Sequence, residues 1–161
     1  MILFHGSILR IESPRVDVGR RHLDFGPGFY LTDLRDQAER WATRPANAGK
    51  SHVLNVYEWA FDPLSAPDVR YRHFPEYDDD WLDFVVANRR GEPAWEGLDV
   101  VWGGIANDRV FNTIELYAAG LSPREDTLKQ LRYERPNNQI CILNQSVLDR
   151  FLRFVDAVEL P

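Results

Sequence analysis

Hydrophobic and polar positions along the chain change period several times, and each change marks an element. Residues 1 to 5 are short and apolar with Gly6 behind them, which predicts a strand starting almost with the chain. Residues 8 to 27 mix Arg10, Arg15, Arg20 and Arg21 with Pro14, Gly19, Gly26 and Pro27, a composition for an irregular loop. Phe29 and Leu31 then alternate with Gly28, Tyr30 and Thr32, so a short strand sends Tyr30 to the face opposite two apolar side chains. A helix follows with Thr32 or Asp33 as N-cap, with Leu34, Ala38, Trp41 and Ala42 on one face and Pro45 as its stop. Residues 51 to 61 alternate as a strand, with Val53, Tyr57, Trp59 and Phe61 set against Asn55 and Glu58.

The second half is read in the same way. Asp78 to Asp80 form an acidic first turn before a helix that ends near Gly91, and capping rather than metal binding is their expected role. Asp99 to Trp102 predicts a buried strand ended by Gly103-Gly104, and Asp108 to Ala119 a helix burying Val110, Phe111, Ile114, Tyr117 and Ala118. Ser122-Pro123-Arg124-Glu125 is a capping box with proline at the first helical position. Asn138 to Leu143 predicts a strand, Asn144 caps a helix through Leu152, and residues 153 to 160 return as a last strand. The reading is α+β in class, about six strands and five helices in one domain over residues 1–161, with no repeat and no linker.

Composition narrows the picture. With 44% hydrophobic and 27% charged residues the chain carries enough apolar surface for a core and enough charge for a soluble surface. A net charge of −6 disfavours nucleic acid as a partner held through its phosphates. One cysteine, Cys141, makes neither an internal disulfide nor a cysteine-based zinc site, and its alternation with Ile140 and Ile142 predicts a buried thiol. His22, His52 and His73 show no ligand spacing, so no metal is expected. No stretch reaches the length of a membrane span, and a cytoplasmic location is expected.

The candidate chemistry sits near the start. His5-Gly6-Ser7 ends one strand, and Gly26-Pro27-Gly28-Phe29-Tyr30-Leu31-Thr32 follows after one loop, with Gln37-Ala38 and Trp41-Ala42 on the next helix. A glycine lets backbone approach a ligand closely, an aromatic ring on a neighbouring strand offers a stacking face, and a neutral histidine accepts a hydroxyl hydrogen bond. In order and spacing this set resembles the ADP-ribosyltransferases with a His-Tyr-Glu signature. The chain also resembles, almost end to end, a bacterial family known as domain of unknown function 3990. The later residues that carry this likeness are Asp99 to Gly103, Asn107-Asp108-Arg109, Leu128 to Tyr133 and Asn138 to Cys141.

The resemblance implies a fold of split mixed β-sheets with flanking helices, and NAD as substrate. It implies mono-ADP-ribosyl transfer of bacterial toxin type or NAD glycohydrolysis, with a partner protein, an antitoxin or regulator, covering the cleft. His5, Tyr30 and Gln139 take the signature positions, with Gln139 where the transferases carry glutamate; Gly6 reads the carboxamide, and Ser7 and Gly28 are implied to bind NAD beside it. Arg20 and Arg21 in the loop have two readings, a grip on the diphosphate or solvated surface charge. A glutamine keeps a ribose hydrogen bond but carries no charge, which leaves a second reading open: a non-catalytic module that binds NAD or ADP-ribose, or a protein-interaction surface. Glu58 and Glu115 read first as surface residues of their own elements, and second as the acids able to replace the missing charge from elsewhere in the fold. The acceptor is left open between protein, nucleic acid, small molecule and water.

Overall fold

The structure, a computed structural model, describes residues 1–20, 22–105, 108–131 and 137–161; Arg21, Asn107 and residues 132–136, which the sequence reading used in part, lie outside the described residues. Among the described residues, seven strands and five α-helices follow one another as β1 (Ile2–Ser7), β2 (Phe29–Leu31), α1 (Arg35–Ala42), β3 (His52–Trp59), β4 (Tyr71–Phe74), α2 (Asp79–Arg89), β5 (Val100–Ile105), α3 (Asp108–Ala118), α4 (Arg124–Leu131), β6 (Asn137–Ile142), α5 (Gln145–Phe151) and β7 (Leu152–Leu160). The class is mixed α+β, as expected, in two sheets. One is antiparallel in the order β1-β3-β7; the other runs β2-β6-β5-β4, antiparallel except for the parallel pair β4 and β5. Among the described residues no helix is long and apolar enough to cross a membrane.

The second sheet is buried on both faces, which explains its unbroken apolar runs. Ile140 and Ile142 face Leu3, Phe29, Tyr57 and Leu148 in the core between the sheets. Cys141 and Val101 face the other way, onto a core closed by Trp81, Val85, Val110, Ile114 and Leu131 from α2, α3 and α4. Asp78 caps α2, its carboxylate accepting the Trp81 N–H at 2.8 Å, and Asn144 caps α5 by accepting the Ser146 N–H at 2.9 Å.

Several local expectations are corrected by tertiary pairing. The N-cap of α1 is Leu34, without a side-chain bond, because Thr32 serves the sheet junction: its hydroxyl donates to the Asn138 carbonyl at 2.8 Å. Leu34 and Trp41 are exposed, and the buried face of α1 is Ala38 and Ala42. Asn55 is fully buried because the loop after β1 folds over it; its amide donates to the Leu9 carbonyl at 3.0 Å and accepts the Ile11 N–H at 2.7 Å. β5 does not end at Gly103-Gly104, since β6 pairs with it through Ile105. β4 was not foreseen because its middle residues, Arg72 and His73, are exposed on an edge strand and show no alternation. Ser122 bonds the Thr127 hydroxyl at 3.0 Å, and Pro123 precedes the helix, its carbonyl accepting the Thr127 N–H at 3.0 Å.

Gly6 is where β1 touches α1. A side chain there would overlap the Ala38 carbonyl and come within 2.9 Å of the Ala42 nitrogen, so only glycine permits this strand-helix approach. Gly6→Ala is expected to lower stability by roughly 1–3 kcal/mol through overpacking, read as a fall in the denaturant midpoint with little change in slope.

Candidate functional site

The two sheets meet at a single bridge. Phe4 N–H donates to the Thr32 carbonyl at 2.8 Å and Thr32 N–H to the Phe4 carbonyl at 3.0 Å. In a strand every second residue turns its backbone groups to the same edge, so the next antiparallel pair in this register is Gly6 with Tyr30. That pair does not form. His5 takes its place: Nδ1–H donates to the Tyr30 carbonyl at 2.7 Å, and no group among the described residues bonds the Gly6 N–H or C=O along this edge.

A cavity of about 780 Å³ opens at this unzipped edge, within the range of roughly 300–1,000 Å³ usual for ligand sites. Its wall includes His5, Gly6, Arg20, Gly28, Tyr30 and Gln139, so six of the eight residues singled out in the sequence come together. Ser7 is not on the wall; its hydroxyl accepts the Leu9 N–H at 3.3 Å in the following turn. Arg21 is the remaining one and lies outside the described residues.

The His5 ring stacks on Phe29 with centroids 4.6 Å apart, and burial lowers its pKa below the usual 6.5, partly offset by the bond to Tyr30. The ring is therefore neutral near pH 7. With the proton on Nδ1, Nε2 is left as an acceptor. Tyr30 lies over the opposite face of β2 with its phenol committed twice, donating to the Gly26 carbonyl at 2.6 Å and accepting the Phe25 N–H at 3.2 Å. Burial, with Cys141 and Asp24 nearby, raises its pKa well above 10, so the hydroxyl fixes the ring and performs no proton transfer. Cys141 beneath it is pushed up to about 12 by burial and is no nucleophile at neutral pH. Gln139 shares the Cys141 face of β6 by strand alternation, and its amide has no partner among the described residues. Gly28 is glycine for packing, since a side chain there would come within 2.5 Å of the Cys141 sulfur and the Ile142 carbonyl.

Of the rest of the wall, Gln37, Trp41 and Glu115 had been singled out in the sequence, whereas Asp24, Arg44, Arg89 and Phe111 had not been placed here. Trp41 is 54% exposed with the Arg44 guanidinium 4.1 Å above its ring, and Phe111, expected in the core, is 47% exposed on the cavity side. Gln37 Oε1 and Arg44 Nε are buried without hydrogen-bond partners. Arg89 joins two wall carboxylates, donating to Asp24 at 2.7 Å and to Glu115 at 3.1 Å. Helical spacing offered a signal for Phe111 and Glu115, one turn apart on α3, whereas the Asp24–Arg89 pair spans 65 residues and had none. Glu58 is off the wall and bonds Arg153 at 3.0 Å. Among the described residues no group of three or more His, Cys, Asp or Glu is arranged to hold a metal.

Residues 1–154 match the family described as Protein of unknown function (DUF3990). The chain belongs to this family. No curated protein and no solved structure matches it. The DUF3990 match takes in β1, β2 and β6, and therefore every strand that borders the cavity.

The lowered His5 pKa gives this DUF3990 chain a defined pH response. Below 6.5 the unfolded chain binds the proton first, so stability is fully present above that pH and is lost as pH falls toward the folded value. His5→Gln is expected to flatten this part of the profile, measured as denaturant midpoints between about pH 5 and about pH 7.5.

Proposed function

We propose that this cavity binds NAD and cleaves its nicotinamide-ribose bond, passing ADP-ribose to an acceptor as a mono-ADP-ribosyltransferase or to water as a glycohydrolase. The observation that carries this reading is the open Gly6–Tyr30 pair. It leaves a backbone N–H and C=O side by side on a cavity wall that also holds His5, the Tyr30 ring and the Gln139 amide. A primary carboxamide is the complement of such an edge, donating one hydrogen bond and accepting another. The resemblance to transferases with a His-Tyr-Glu signature supports the same assignment, including its extension to the fold of two split sheets.

In this reading the nicotinamide amide lies on Gly6 and its ring against Tyr30, whose pinned phenol keeps the stacking face in place. His5 Nε2 accepts a ribose hydroxyl, and the Gln139 amide oxygen accepts the 2′-hydroxyl of the nicotinamide ribose. Arg20, which has no carboxylate partner among the described residues, faces the diphosphate with Arg21 beside it in sequence. As the bond from C1′ to the ring nitrogen breaks, its electron pair neutralises the pyridinium and nicotinamide leaves. The nucleophile then bonds C1′ and gives up its proton. A neutral amide at position 139 withholds negative potential from the ribosyl cation, at a cost of about 10² to 10⁴ in rate, so slow turnover is expected. A partner protein that covers the cleft, as an antitoxin does, belongs to the same reading.

The neutrality of Gln139 also favours a second function, a module that binds NAD or ADP-ribose without cleaving it. Mass spectrometry of NAD and its products after incubation with the protein separates the two. Slow release of nicotinamide, lowered about 10-fold or more by Gln139→Ala, is the result expected of the enzyme. Binding without release assigns the module, in which Gln139→Glu is expected to introduce hydrolysis. Absence of both binding and release defeats the proposal.

A further inference from the structure

We propose that Glu115 is the catalytic carboxylate on the acceptor side of the cavity, taking the proton of the attacking nucleophile, and that Arg89 is its positioning residue. The inference rests on the reading of NAD cleavage given above, and it answers the question which that reading leaves, namely where the charge missing at Gln139 comes from. The described cavity wall holds two carboxylates, Asp24 and Glu115. Asp24 is 15% exposed and is engaged by Arg89 Nε at 2.7 Å and by further contacts, so it is a structural anchor. Glu115 is 55% exposed, and among the described residues its Oε1 alone is engaged, by the other arm of the same guanidinium at 3.1 Å. Its Oε2 has no partner among the described residues.

The arrangement orients this carboxylate. Arg89 is 12% exposed, is held by Asp24 from below, and lies 4.6 Å above the ring of Phe111, one turn before Glu115 on the same face of α3. A guanidinium fixed at one end by Asp24 holds Oε1 of Glu115 at the other and leaves Oε2 toward the cavity. An oxygen that attacks a ribosyl cation becomes an oxonium and turns strongly acidic, so a weak base suffices. The step balances: the C1′–N pair stays with departing nicotinamide, a lone pair of the acceptor oxygen forms the bond to C1′, and its proton moves to Glu115 Oε2. The same negative charge stabilises the developing cation. The acceptor class is a neutral nucleophile with a removable proton, a hydroxyl or water.

The test uses the full chain, NAD and water, with nicotinamide release as the readout. Glu115→Gln is expected to lower kcat about 10²-fold or more while the KM for NAD stays within about twofold, and Glu115→Asp to fall between. Azide, a nucleophile with no proton to lose, is expected to restore turnover of Glu115→Gln and to give ADP-ribosyl azide by mass spectrometry. Wild-type kcat in Glu115→Gln, or a loss that azide does not restore, overturns this assignment alone. Wild-type protein that releases no nicotinamide overturns it together with the reading on which it rests.

Discussion

Two reciprocal backbone hydrogen bonds, between Phe4 and Thr32, decide what the rest of the molecule becomes. β1 and β2 are both edge strands of their own sheets, and two edges brought into register would normally continue to pair. Here pairing stops after one bridge. Gly6 is pressed against α1 on one side, and His5 occupies the carbonyl of Tyr30 on the other. The sheets splay from that point, and the cavity is the space between strands that begin to zip and do not finish. Backbone groups left open on an enclosed edge carry a desolvation cost when nothing bonds them, which makes this edge a place for a ligand with matching donors and acceptors.

Much of this was legible because it is local. The strand and loop boundaries around β1, β2, β3 and β7 follow from alternation and breakers, and the caps at Asp78 and Asn144 follow from side chains that reach their own helix. His5, Gly6 and Tyr30 sit on two short strands legible in this way, whereas Gln139 was singled out only by the position that the family resemblance gives it; it lies on the strand that pairs with β2. The misreadings share a cause as well. Asn55 was set against the apolar positions of its strand, yet a loop 44 residues away covers it, and Phe111 looked like core until α3 turned it toward the cavity. Gly6 was read as room for a ligand; its carbon is bare because α1 needs the space, while its peptide groups face the cavity. One residue answers two constraints, and sequence pattern shows neither of them separately.

Charge in the cavity is arranged differently from charge on the chain as a whole. The protein carries −6 overall, yet Arg20 and Arg44 stand on the wall with no carboxylate partner among the described residues, while Asp24 and Glu115 share one guanidinium. Pairing two acids to one base leaves a net negative charge at that part of the wall, and the two unshared arginines leave the remainder positive. A dinucleotide that breaks at its ribose has the complementary pattern, anionic at the diphosphate and cationic where the bond opens. A neutral amide at position 139 then removes one contributor from a field that several groups set up. For the proposed reaction, the question moves from position 139 to the geometry of the Asp24–Arg89–Glu115 chain, which depends on α2 and α3 being held by the core beneath them.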